Sequence, residues 1–135
     1  MIYITRKEHF SAAHKLHNPD ISDGKNLDIY GKCNNFHGHN YYLEVTLKGE
    51  PNEDSGYVMD LKKLKQIIHT EIIDKVDHMF LNDVDLFKGI VPTTERMAIV
   101  FWNILSDKVK SDNAQLYSVK LYETDKNYVE YRGND

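Results

Sequence analysis

The stretch Gly31-Lys32-Cys33-Asn34-Asn35-Phe36-His37-Gly38-His39-Asn40 gathers the only cysteine of the chain and two of its seven histidines. On an extended backbone, residues two apart point to the same face, so His37 and His39 can grip one metal ion together. Cys33 lies just upstream, on a predicted loop, because Gly31, Asn34 and Asn35 flank it. Most single cysteines are small buried hydrophobes. Here Lys32, Asn34 and Asn35 argue for a polar site, where Lys32 and a nearby metal would favour the thiolate.

Three further places carry chemistry-bearing side chains. His14 would complete a set of three neutral imidazoles with no fourth protein ligand, the pattern of catalytic zinc with one position kept for water or substrate. Iron and copper also suit imidazole, and three partly exposed histidines are the bland alternative. Asp77-His78 is an acid/base pair or merely a histidine near the negative end of a helix. Adjacent side chains on an extended segment diverge, so their adjacency alone does not join them. Glu123 can receive the amidine-like edge of a ligand through two parallel hydrogen bonds, or can close a salt bridge at a hairpin. His9, His17 and His69 read as ordinary polar residues.

The elements that must position these groups follow from periodicity. Ile2 to His14 reads as a strand with Ile2, Ile4, Phe10, Ala12 and His14 on one parity; Arg6 and Glu8 interrupt that face, which suggests a bulge or bend. Asn18 to Lys32 is polar and reads as a long loop. Phe36 to Lys48 is the clearest strand, with His37, His39, Tyr41, Leu43, Val45 and Leu47 on one face. After a turn region, Gly49 to Gly56, Asp60 can cap a helix reaching Val76, with Leu61, Leu64, Ile68, Ile72 and Val76 as its stripe and Lys62, Lys63 and Lys65 as its solvated side. Asn82 to Pro92 is connecting chain. A second helix opens at Thr93-Thr94-Glu95 and should end near Lys110. Leu116 to Glu123 and Asn127 to Arg132 are strands, joined by a turn at Thr124-Asp125-Lys126. The order is ββααββ without repeat or linker, an α+β domain with an antiparallel sheet and helices on one side. His14, His37, His39 and Glu123 all sit on apolar parity near strand ends. Burying them without partners would be costly, so their convergence would make a site.

Composition bounds the rest. One domain spanning 1–135 can bury a real core. Lys+Arg is 17 against Asp+Glu 21, a net charge of −4 that argues against a nucleic-acid binder. A single cysteine forms no internal disulfide, so a reducing compartment, the cytoplasm by default, is expected. No apolar run approaches membrane-spanning length, and Met1 to Lys7 lacks the shape of a signal peptide.

Taken together, Phe10-Ser11-Ala12-Ala13-His14, Gly31-Lys32-Cys33-Asn34-Asn35, His37-Gly38-His39-Asn40-Tyr41, Val76-Asp77-His78, Leu81-Asn82, Pro92-Thr93-Thr94-Glu95 and Tyr122-Glu123-Thr124-Asp125 closely resemble the 6-pyruvoyltetrahydropterin synthase family. The bacterial 6-carboxytetrahydropterin synthases of queuosine biosynthesis belong to the same family. The resemblance implies the tunnelling fold, in which ββααββ subunits form a homohexamer of two trimers and their sheets close a barrel. It implies active sites at subunit interfaces, so that Cys33 and His78 of one site come from different chains. It implies zinc on His14, His37 and His39, Glu123 on the amino-pyrimidine edge of the pterin, and Thr94 and Glu95 near the same pocket. The implied reaction is a lyase step on 7,8-dihydroneopterin triphosphate, with Cys33 as general base and Asp77/His78 as proton relay. One spacing departs from the pyruvoyl branch: only Phe36 separates Asn35 from His37, as in the carboxy branch. The motifs Gly31 to Asn35 and Tyr122 to Asp125 resemble the pyruvoyl branch. A pyruvoyl product is therefore expected first, a carboxy product with acetaldehyde second, and a non-catalytic metal- or pterin-binding oligomer from outside the enzymes third.

Overall fold

Alternation of inward and outward residues, interrupted in the first strand by Arg6 and Glu8, builds four strands, β1 (Ile2–His14), β2 (His37–Gly49), β3 (Ala114–Tyr122) and β4 (Tyr128–Tyr131). In the computed structural model, which describes residues 1–134, they pair antiparallel in the order β1-β2-β3-β4. β1 and β2 pair without interruption from Ile2 opposite Gly49 to His14 opposite His37. The bulge suggested at Arg6 and Glu8 is not there; the irregularity falls between Thr46 and Leu47, against β3. The reason is local pairing. Arg6 Nε donates to Glu8 Oε1 at 2.8 Å, and Glu8 Oε2 lies 3.0 Å from His69 Nε2, so the two charges sit on the inward face without bending the strand. His69 is thus a partner of β1 and not an idle polar residue.

Helix α1 (Asp23–Tyr30) lies where the sequence suggested loop. It carries no apolar stripe, and Leu27 and Ile29 are exposed, so periodicity is silent there. Ser22 Oγ caps it by accepting from Lys25 N–H at 3.1 Å. The buried Asn26 ties it to the preceding turn through Asn18 N–H and C=O. Cys33 follows in a 3₁₀ turn, Gly31–Asn34, in place of an irregular loop.

Helix α2 (Leu61–Ile68) is capped by Asp60, whose carboxylate accepts from Lys62 N–H at 2.9 Å. The helix continues through a π-helical turn, His69–Ile73, and a last turn, Asp74–Val76. The wide turn brings the consecutive residues Ile72 and Ile73 inward together. Leu61, expected on the buried stripe, is 45% exposed because it belongs to the first turn. Helix α3 (Thr94–Leu105) is capped by Thr93, which accepts from Arg96 N–H at 3.2 Å, and it stops at Leu105, short of Lys110. Leu64, Ile68 and Ile72 from the first of these helical runs and Met97, Phe101 and Leu105 from α3 close over Phe10, Tyr41, Leu43, Val45, Leu47, Val119 and Leu121 of the sheet. Each such side chain contributes about 1.5–3 kcal/mol on full burial. Among the described residues no helix is long and apolar enough to cross a membrane.

Candidate metal centre and ligand anchor

The inward parity of β1 and β2 ends in histidine on both strands. Register places His14 opposite His37, with His39 opposite Ala12 and Tyr41 opposite Phe10. One ligand atom from each of His14, His37 and His39 lies within 4.8 Å of the other two. The ring centroids are 4.5 Å apart for His14 and His37, 5.3 Å for His14 and His39, and 5.0 Å for His37 and His39. A Phe10–Tyr41 stack, with centroids 4.8 Å apart, forms the floor.

The hydrogen bonds determine which nitrogens remain available. His14 Nδ1 is 2.9 Å from Pro92 O, and His37 Nδ1 is 2.8 Å from Asn35 O. A carbonyl only accepts, so each Nδ1 carries the proton and each Nε2 presents a lone pair. His39 Nε2 is buried and has no hydrogen-bond partner. Such an orphaned polar atom is costly in an apolar surround, and a bound cation would satisfy it. His14 is fully buried, and burial holds it below the ordinary histidine range; burial does the same to His39, against the opposing charge of Glu123. Both therefore favour the neutral form that a metal ligand requires. Three imidazole nitrogens, grouped with no fourth ligating side chain among the described residues, suit an ion that keeps an open coordination position.

A second constellation adjoins the first. Glu123 follows β3, and its Oε1 is 3.7 Å from His39 Nε2. Its Oε2 accepts from Thr94 Oγ1–H at 2.7 Å. Thr94 opens α3, so a helix start and a strand end are joined by one short hydrogen bond. Thr94, Glu95, Glu123, Asn127, Tyr128 and Val129 line a cleft of about 150 Å³. The carboxylate expected to anchor a ligand, its two expected neighbours and the metal centre are thus contiguous.

Asp77 and His78 meet after all: His78 Nδ1 is 3.0 Å from Asp77 Oδ1. The divergence expected of neighbours is undone by the backbone, because His78 takes φ +61°. Ser11 N–H donates to Asp77 Oδ1 at 3.0 Å and, with the His78 contact, outweighs burial to hold the carboxyl below its ordinary range. His78, Ser11, Ala13, Gly38, Asn40, Met79 and Phe80 line a groove of about 500 Å³, together with Ala12 and His39 from the parity of the histidine cluster. Ser11, Gly38 and Asn40 carry the outward parity of β1 and β2, opposite to that of the three histidines. Cys33 is exposed and stands outside the histidine cluster.

Sequence reasoning missed the two orienting carbonyls, of Pro92 and Asn35, since a main-chain oxygen has no side-chain signature. It placed Tyr41 on the right face without its proximity to the site. The Tyr41 hydroxyl is 3.3 Å from His14 Nδ1 and 3.4 Å from Nε2, and burial pushes its ionisation up, so it stays protonated.

The fold and the site define a class: an antiparallel α+β domain whose first two strands deliver a three-imidazole cluster able to hold a metal, beside a part-buried carboxylate. The family model described as 6-pyruvoyl tetrahydropterin synthase matches residues 3–134. The chain is 47% identical over 133 residues to the 6-pyruvoyl tetrahydrobiopterin synthase of Dictyostelium discoideum, covering 98% of this chain and 96% of that one. It is 42% identical over 133 residues to the protein of that name from Homo sapiens, covering 96% and 90%. The structure of Caenorhabditis elegans 6-pyruvoyl tetrahydropterin synthase superposes with a TM-score of 0.89 at 43% identity, covering 98% and 96%. The chain belongs to the 6-pyruvoyl tetrahydropterin synthase family, a family of enzymes.

Proposed function

We propose that this protein converts 7,8-dihydroneopterin triphosphate to 6-pyruvoyltetrahydropterin with release of triphosphate, as a zinc-dependent lyase. The observation that carries the reading is the contact of the three-nitrogen cluster with Glu123, which Thr94 holds at 2.7 Å. The relatives named for this product, at 42–47% identity, support it. His14, His37 and His39 would hold the zinc, which when bound polarises the side-chain hydroxyls of the substrate and acidifies the adjacent C–H.

The protein groups do the rest. Glu123 accepts two parallel hydrogen bonds from the amino-pyrimidine edge, and the Thr94 hydroxyl holds its carboxylate in place. Glu95, in the same cleft, borders the ring. Cys33 as thiolate removes the carbon-bound proton. His78 donates its Nδ1–H to Asp77, so Nε2 takes up and returns protons as the bond to triphosphate breaks. Loss of triphosphate leaves an enol that becomes a ketone. One side-chain hydroxyl carbon becomes a ketone as the carbon that carried triphosphate becomes a methyl, and the other is oxidised by two electrons as the dihydropterin ring takes up two, so the electrons balance within the substrate.

A homohexamer of two trimers, with sheets closing a barrel, suits the chain. Within one copy Cys33 is outside the histidine cluster, while the Asp77/His78 pair borders a groove that His39 helps to line, so a neighbouring copy is the natural source of Cys33. An unpaired exposed thiol suits a reducing cytoplasm. The short spacing from Cys33 to His37 is the one observation that favours the carboxy product. Mass spectrometry on zinc-loaded protein with 7,8-dihydroneopterin triphosphate decides among the readings. The pyruvoyl product and triphosphate are expected. A 6-carboxy product with acetaldehyde would transfer the chain to the queuosine branch, and absence of triphosphate would leave a binding protein.

A further inference from the structure

Leu81-Asn82 belongs to the motifs of the sequence, yet the reaction above gives Asn82 no part. Its side chain makes two short bonds to the residue that directly follows β1. Lys15 N–H donates to Asn82 Oδ1 at 2.9 Å, and Asn82 Nδ2–H donates to Lys15 O at 2.8 Å. One amide thus supplies both bonds that a neighbouring strand would give, immediately after the point where β1 stops pairing with β2. Lys15 follows His14. On the other side of His14, Ala13 N–H donates to Met79 O at 3.0 Å. The segment carrying Asp77 and His78 continues this contact: Ser11 N–H reaches Asp77 Oδ1, His78 N–H reaches Ser11 O at 2.6 Å, and Phe80 bridges Ala13 in parallel. Residues 77–82 therefore lie along the edge of β1 from Ser11 to Lys15, with Asp77 at one end and Asn82 at the other.

We propose that Asn82 is a positioning residue: its two-bond clasp fixes the strand end that carries His14 and registers Asp77–His78 on the same strand, so metal ligand and acid/base pair are held as one unit. This rests on reading His14 as a metal ligand and His78 as the proton relay. A side chain on a loop can do this because an amide, unlike a hydroxyl or a carboxylate, both donates and accepts in one plane.

The test is titration of the full-length protein with cobalt(II), a visible stand-in for zinc, with affinity read by chelator competition and geometry by the d–d spectrum. Asn82→Ala should weaken cobalt binding about tenfold and alter the spectrum, in the range of other supporting residues around metal sites. Asn82→Asp keeps the acceptor for Lys15 N–H, loses the donor, and should fall between; it also serves if the alanine variant does not fold. Asn26→Ala removes a buried amide that likewise binds main chain, at Asn18, Ile21 and Ser22 and not at Lys15, and should lose stability while keeping wild-type affinity and spectrum. At saturating metal, Asn82→Ala should lower kcat of triphosphate release with little change in KM, because Glu123 and Thr94 lie outside the clasp. Wild-type cobalt affinity and spectrum in the Asn82 variants would overturn the proposal while leaving the metal centre standing, and a loss confined to KM would overturn the link to His78. A wild-type protein that binds no cobalt would bring down the metal centre and this proposal together.

Discussion

A histidine serves as a metal ligand only while one ring nitrogen is bare and the ring is neutral. Pro92 and Asn35 enforce the first condition at His14 and His37, and burial favours the second at His14 and His39. His37 is the simplest place to break the set, because it starts β2 at the margin of the core. His37→Ala should fold with a stability change within about 1 kcal/mol of wild type and lose the bound metal. A full metal complement by elemental analysis would exclude His37 as a ligand. His78 shows the opposite kind of residue-scale effect. Only its positive φ lets the ring return to Asp77, and no pattern of residue types announces a left-handed histidine. The three imidazoles, by contrast, were legible from parity alone, since side-chain direction in a strand alternates whatever the strand packs against.

Among elements, the contact of β1 with the helical run 61–76 carries a buried charge. Glu8 is raised toward neutrality by burial, yet Arg6 and His69 outweigh that and hold it below the ordinary glutamate range. The folded protein therefore binds fewer protons at Glu8 than the unfolded chain does. The resulting stabilisation is complete above about pH 4.3, the unfolded value, and disappears as pH falls through the lower folded one. Glu8→Gln should cost roughly 1–2 kcal/mol at pH 7, a lowered Tm that converges on wild type in acid. A constant Tm difference from pH 7 to pH 3 would remove the ionic role. At this scale the strands and the two core helices were readable from period. Helix α1 was not, because its stability comes from the Ser22 cap and the Asn26 hydrogen bonds and not from an apolar face.

In the whole molecule, the residues proposed for catalysis are divided in space. Glu123, Thr94 and the histidines converge within one chain; Cys33 stays apart, and Asp77/His78 borders a groove shared by His39 with Ser11, Gly38 and Asn40. If neighbouring copies complete each site, two inactive variants should complement. Co-expressed Cys33→Ala and His78→Ala chains, assorting at random, should form wild-type sites at about a quarter of positions. Triphosphate release near that fraction is the expected result. Activity no higher than either variant alone would place both residues of a site on one chain.

The chain by itself determined the local periods: which residues share a strand face, that Asp60 and one of Thr93 and Thr94 cap helices, and that three imidazoles and a carboxylate stand at strand ends on the buried parity. These depend on neighbours in sequence, through backbone geometry that repeats every two or 3.6 residues. Tertiary structure alone decided which atoms meet across long separations. The Pro92 carbonyl on His14, the Thr94 hydroxyl on Glu123, the Glu8 carboxylate on His69 and the Asn82 amide on Lys15 join groups whose partners are set by packing of whole elements, and a hydrogen bond between distant residues leaves no period in the sequence.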